Sequence, residues 1–294
     1  MPLKYYGLRV PTRPTERSGV IVDPDAYVDI VDTVDPMPII LKFSFQNSEG
    51  LTLYVKVELL SAPEGYSMEP VEAGSVDDGS IIDFTAVLNR SKPSGADFME
   101  IEEVVTLRVS TYTDSGYTAL YEYIDVDITV HIINSDHASW NKVLEVDFDD
   151  GSLDGLTSVK EIISGCLDSF SAHIFDDVYF SPPYSAGIDV YLYNCIGNAN
   201  VGYKFVVDVS SYSKAFLVFY ARVSSNVYKG IHVVFTTPSG EKAYYADVDT
   251  VDKWFKVVVP IPLDASEVKV MAYINTSTIG HFYFYLDSIK VVAV

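Results

Sequence analysis

Hydrophobic and polar residues alternate along most of this 294-residue chain. A period of two belongs to strands rather than helices. Leu51, Leu53, Val55, Val57 and Leu59 fall on one face of a single segment. The same alternation predicts strands over Ile39–Phe45, Ser80–Leu88 and Val104–Tyr112, and a last long pair within Tyr117–Ile133. Turn residues separate them, as at Ala62 to Tyr66. Further on, Phe216, Val218 and Tyr220 alternate with Leu217, Phe219 and Ala221. A run apolar on both phases predicts a strand buried on both sides. Pro260 and Pro262 mark a sheet edge, where a missing N–H costs nothing. No long stretch carries apolar residues at helical spacing behind a cap. The best helical candidate, Leu156–Ile163, allows one or two turns.

These patterns divide the chain in three. Residues 1–35, punctuated by Pro and Asp, read as an extended N-terminal arm with an edge strand at Tyr27–Val31. Such an arm can add a strand to a neighbouring subunit, so self-association through it is expected. Residues 36–135 carry six or seven strands, enough for a β-sandwich. A polar linker, Ile133–Asn141, then leads into a second β-domain over 136–294, with Trp140 expected at the junction. The predicted fold class is all-β, two β-sandwich domains in series.

Composition narrows the partners. Aromatics are abundant, with 22 Tyr and 15 Phe, and 48% of residues are apolar, ample for two cores. The formal net charge of −21 repels phosphate backbones and anionic headgroups, so no nucleic acid is expected. No apolar run approaches the roughly 18 residues of a spanning helix, so no membrane insertion is expected. The N-terminal residues are basic without an apolar stretch behind them, unlike a signal peptide. One Gln, Gln46, and two Cys in the whole chain lean toward a hot habitat.

Catalytic patterns are absent. The five His form no H-E-x-x-H pair, and no G-x-S-x-G element occurs. With 41 acidic residues, two neighbouring carboxylates are no sign of glycoside hydrolysis. The chain is therefore read as non-enzymatic. Asn89-Arg90-Ser91 and Asn275-Thr276-Ser277 match the N-glycosylation pattern, a number that chance supplies.

The second half carries five elements in order: DFDDGSLDGL (Asp147 to Leu156), PPYSAGIDVYL (Pro182 to Leu192), DVSSYSKAFLVFYAR (Asp208 to Arg222), the Trp254 to Pro262 strand, and the closing Tyr285 to Val291. Together they resemble carbohydrate-binding-module-type (galactose-binding-like) jelly-roll domains, with Leu156 where that family commonly has Trp. The PEGY turn and closing ITVHII strand of the first half weakly resemble immunoglobulin-like and fibronectin-type-III-like modules. An immunoglobulin-like sandwich followed by a jelly roll is what these resemblances imply.

The jelly-roll resemblance also implies sites. Family members often hold a structural Ca²⁺ between first and last strands, and Asp147, Asp149 and Asp287 are its candidate ligands here. The competing reading makes these aspartates ordinary turn and surface carboxylates. Sugar contacts in such modules use aromatic platforms. Tyr179, Tyr184, Tyr228, Tyr244, Tyr245 and Tyr283 qualify by type, with Tyr184, Tyr228 and Tyr245 chosen as ligand-binding candidates. Most of the tyrosines serve the core, and Trp254 is read as core as well. Cys166 and Cys195, in adjacent elements of one outward-facing domain, are expected to form a disulfide, with two buried thiols as the rival reading.

The function implied is a non-enzymatic virion structural or surface protein, plausible for a thermophilic host, whose jelly roll faces outward for glycan attachment or stability. Its partners are then other virion subunits and a glycan, at the virion surface or outside the cell. The alternatives are a secreted carbohydrate-binding protein or appendage subunit, and the accessory binding region of a glycoside hydrolase.

Overall fold

The computed structural model describes residues 8–11, 18–22, 25–30, 38–91, 98–153, 155–165, 167, 169–192, 197–248, 250–276 and 278–294. Among them every regular element is a strand. The chain splits into two compact units, one running to Ile30 and over Pro38–Ile133, the other over Asn134–Val294.

The first unit holds β1 (Leu8–Pro11), β2 (Gly19–Val22), β3 (Asp25–Asp29), β4 (Ile39–Gln46), β5 (Leu53–Ser61), β6 (Tyr66–Ser67), β7 (Val71–Val76), β8 (Ile81–Arg90), β9 (Glu100–Tyr112) and β10 (Leu120–Ile133). They form two sheets, ordered β1-β2-β4-β8-β6 and β3-β10-β9-β5-β7. Leu53, Val55 and Val57 are fully buried, and Leu107 and Val109 meet them from β9. Alternation thus delivers one face of each sheet to a shared core.

The segment expected as a free arm is corrected here. Its described residues belong to this sandwich: β2 pairs antiparallel with β4, and β3 pairs parallel with β10. The reason is burial. Val20, Val22 and Val28 are at most 3% exposed, so this chain's own core takes the apolar face that the arm reading left for a neighbour.

The second unit holds β11 (Asn141–Val146), β12 (Thr157–Gly165), β13 (Ser169–Phe175), β14 (Ser185–Leu192), β15 (Gly197–Val206), β16 (Ala215–Val223), β17 (Tyr228–Thr237), β18 (Gly240–Asp247), β19 (Phe255–Pro260), β20 (Glu267–Thr276) and β21 (Gly280–Ala293). One sheet is ordered β13-β14-β21-β16-β19, the other β12-β15-β20-β17-β18, all antiparallel. The helical candidate at Leu156–Ile163 is strand β12, its pairing with β15 overriding a weak local signal.

The first and last strands of this unit pair. β14 runs along β21 as far as Leu286, and β11 continues the same edge from Ile289 to Ala293. Between them the backbone departs from the pleat, with Ser288 at φ 46° and Phe148 at φ 62°. β16 shifts register at the same level, between Val218 and Tyr220.

Strand β16, between β21 and β19, is buried on both sides, as its doubled apolar pattern predicts. Leu217, Phe219 and Ala221 face the common core with Phe284, Leu286, Val233 and Val270. On the outer side Trp140 packs edge-on to Phe216 at 5.8 Å, and Phe180 stacks on Tyr220 at 3.8 Å. Trp140 is fixed by its Nε1 donating to the Asn134 carbonyl at 2.9 Å.

Candidate functional site

The outer face of the β12-β15-β20-β17-β18 sheet bows inward, as the ion pairs that span it show. Its residues follow from alternation: Val268, Val270, Ala272 and Ile274 of β20 enter the core, so Lys269, Met271 and Tyr273 point away from it. In register, one row across the five strands reads Glu161, Asn200, Tyr273, Gly230, Asp247. The next reads Val159, Gly202, Met271, His232, Tyr245.

The curvature shows in an ion-pair triad. The Lys269 ammonium contacts Glu161 at 2.8 Å and Glu241 at 2.9 Å, from strands two places away on either side. On a flat sheet the Cα atoms of Glu161 and Lys269 would stand about 16 Å apart, beyond the combined reach of a lysine and a glutamate. The sheet therefore curls over this face. Burial alone would lower the Lys269 ammonium, but hydrogen bonds to Glu161 and Glu241 reverse this and hold it above the usual lysine value.

Within the hollow, His232 lies between two tyrosines. Its ring centroid is 4.7 Å from Tyr245, edge-on, and 5.5 Å from Tyr273, near-parallel. Gly230 makes this possible: a Cβ there would stand 2.4 Å from the Tyr245 ring, and the Tyr245 hydroxyl is anchored to the Lys229 carbonyl at 2.9 Å. Gly202 lets β15 approach β20, since a Cβ would meet the Val270 carbonyl oxygen at 2.0 Å. Met271, fully buried, forms the floor.

Among the described residues, two polar atoms in this face have no protein partner. Asn200, only 7% exposed, leaves its Oδ1 buried and unpaired, and His232 leaves its Nε2 in the same state. Burial lowers the His232 pKa against the opposing pull of Glu161, so the ring is neutral at pH 7. An orphaned buried polar atom costs about 1–3 kcal/mol. Rings flanked by such atoms suit a ligand that has both C–H faces and hydroxyl groups.

Replacing Lys269 with Met is expected to leave Glu161 and Glu241 facing each other without a cation. Both carboxylates are partly exposed, so the loss should be about 1–2 kcal/mol rather than the larger cost of a fully buried pair. Urea denaturation at pH 7 would measure the loss.

The structure scatters most of the residues chosen from sequence. Tyr245 lies in the hollow face. Tyr184 is half-buried against the core, its ring over Gly151. Tyr228 is 1% exposed, so no sugar can stack on it. Cys166 and Cys195 lie outside the described residues. The three proposed metal ligands are not brought together, and among the described residues no group of three His, Cys, Asp or Glu could hold a metal ion. Asp147 is exposed and accepts from the Asp149 N–H at 3.2 Å, closing a turn. Asp287 is fully buried, its Oδ2 accepting from Phe180 N–H at 2.8 Å and Ser181 N–H at 3.0 Å. The expectation relied on strict alternation, which the left-handed backbone at Phe148 and Ser288 breaks.

No family model and no curated protein matches the chain. Solved structures do. Carbohydrate-binding modules are among the structures it resembles. One, of modules from the β-sandwich superfamily, is 13% identical over 94% of this chain and 97% of that one, with a TM-score of 0.39. The CBM22-1 xylan-binding domain from Paenibacillus barcinonensis Xyn10C is 12% identical over 53% of this chain and 96% of its own, at 0.35. The K1 cleaved adhesin domain of Lys-gingipain from Porphyromonas gingivalis W83 is 14% identical over 51% and 98%, at 0.36.

Asn200, His232, Tyr273 and Glu161 were missed from sequence. Alternation in β20 marks Tyr273 as outward once its strand is known. Nothing local says that β15, β20 and β17 are neighbours, and that adjacency makes these residues one site.

Proposed function

We propose that this is a non-enzymatic carbohydrate-binding protein whose second unit holds a neutral, hydroxyl-rich glycan in the hollow face. The observation that carries the reading is the pair of half-buried rings, Tyr245 and Tyr273, packed about His232, with Asn200 Oδ1 and His232 Nε2 left unpaired in the same face. The half-buried rings take the C–H faces, and sugar hydroxyls reach Asn200 Oδ1 and His232 Nε2, which are closed to solvent here, once the Tyr245 and Tyr273 rings shift on binding. Glu161 and Glu241 are both clamped to Lys269, an arrangement suited to shaping the hollow rather than to proton transfer. The site is thus read as binding without cleaving.

Titration with neutral hexasaccharides (xylohexaose, cellohexaose, mannohexaose) tests it. The Tyr245→Ala, Tyr273→Ala double variant should bind at least about ten-fold more weakly, since each decade is about 1.4 kcal/mol. Asn200→Val gives the sharper result. It removes an orphaned acceptor, so affinity should fall while stability stays level or rises. A stability loss with unchanged affinity would make Asn200 a merely structural residue and defeat the reading. No new reducing ends should appear on long incubation.

In its narrower form the reading places the protein outside the cell, on a virion surface, where the same face would engage host glycans. Competition of soluble glycan against particle adsorption tests that form.

A further inference from the structure

The outer face of the other sheet, β13-β14-β21-β16-β19, carries an unbroken run of rings. Tyr191 stands 4.5 Å from His281. His281 and Tyr283 are 6.3 Å apart with planes 14° from parallel, and Tyr283 and Tyr285 are 6.0 Å apart at 20°. Tyr285 reaches Trp254 at 6.4 Å. Alternation in β21 produces the line: Phe282, Phe284 and Leu286 enter the core, so His281, Tyr283 and Tyr285 face outward. His281 is exposed, Tyr191, Tyr283 and Trp254 are half-buried, and Tyr285, which links them, is buried at 6% exposure, leaving His281, Tyr283 and Trp254 as the accessible contacts.

The flanks of this line are polar. In register, Ser171 and Asp189 stand beside Tyr283, and His173, Gly187 and Arg222 beside Tyr285. Asp189 contacts His281 Nδ1 at 3.0 Å, and Arg222 pairs with Asp252 at 3.2 Å. Among the described residues the buried Arg222 Nε has no partner, and neither has the hydroxyl of Tyr220, which lies under the Phe180 ring and is 2% exposed.

The make-up of the strip selects its occupant. A stable protein partner needs about 800 Å² on each side with an apolar centre. Here the rows carry no Leu, Ile, Val or Met: the rings, joined by Phe175 of β13 edge-on to Tyr283 at 6.0 Å and Tyr285 at 5.1 Å, alternate with the hydrogen-bonding groups of Ser171, Asp189, His173 and Arg222. That geometry fits a single extended polymer with C–H faces and hydroxyl edges.

We infer that this strip is a second carbohydrate-contacting face, taking one extended glycan chain along β21. It borrows from the hollow-face reading only the class of ligand. The two faces belong to opposite sheets of one sandwich, so one molecule can hold two glycan chains.

The full chain and the same three hexasaccharides test it. Trp254 ends the strip, so saturating ligand should change the tryptophan emission, and Trp254→Phe should abolish the change. Calorimetry should give two ligands per chain, falling to one in His281→Ala, Tyr283→Ala and to one in Tyr245→Ala, Tyr273→Ala. One ligand per chain, with no change at Trp254 and normal affinity in the His281, Tyr283 variant, would overturn the strip and leave the hollow face standing. Binding lost only in the strip variant would uphold the strip and overturn the hollow face. No binding of any hexasaccharide by the unaltered protein would overturn both.

Discussion

Asp287→Asn is expected to stabilise the second unit at pH 8 by up to about 3 kcal/mol. Asp287 is fully buried, and the structure shows it no cationic partner in a hydrogen bond: its acceptors are filled by the Phe180 and Ser181 N–H groups and the Ser288 hydroxyl. Burial pushes its carboxyl from 3.8 up to about 6, the N–H donors pulling the other way without prevailing. A raised folded pKa means that the folded state binds the proton more tightly than the unfolded chain. Below about pH 4 both states are protonated and nothing is lost. Between pH 4 and 6 folding becomes progressively less favourable, and above 6 the full cost stands, about 1.4 kcal/mol for each unit of the difference. Asn keeps the shape and one acceptor for the two N–H groups but carries no charge. The stability difference between variant and parent should therefore be near zero at pH 4 and reach its plateau by pH 7. Using the difference cancels the other acidic residues, which titrate in both proteins. Both tryptophans, Trp140 and Trp254, lie in the second unit, so tryptophan fluorescence in urea reads this unit alone. A difference that is flat with pH would show that Asp287 is not a strained carboxylate.

Phe216→Ala and Phe219→Ala should each cost about 3–5 kcal/mol, the usual range for truncating a buried Phe. The two residues point to opposite sides of β16, and each is at most 2% exposed. On a strand with one solvated face, one of the pair would be nearly free to change. Here Phe219 fills the core between the sheets, and Phe216 is covered by Trp140. Val206→Ala, at a side chain 79% exposed, should change stability by under about 0.5 kcal/mol and serves as control. Urea midpoints at constant slope measure all three. A small loss for Phe216 alone would mean that Trp140 does not seal the outer face.

The all-β class and the doubly buried β16 were legible in the chain, because strand formation follows a period of two and β16 is apolar on both phases. The second unit's opening and closing strands also pair, as the resemblance implies. Tertiary structure decided the rest. The arm reading failed because sequence shows that Val20, Val22 and Val28 must be buried but not against which chain. Asp147, Asp149 and Asp287 form no metal-holding group among the described residues; at Ser288, whose backbone is left-handed, the core face of β21 passes from Phe282, Phe284 and Leu286 to Ile289, Val291 and Ala293. Tyr228 and Tyr245 are the same residue type in similar polar-apolar surroundings, yet one is sealed in the core and the other lines a hollow face. Local sequence sets which side of a strand a residue takes. Which strands become neighbours, and how far a sheet curls, depends on pairings between residues far apart in the chain. Glu161 and Lys269 meet across 108 positions, and no pattern within either strand announces that contact.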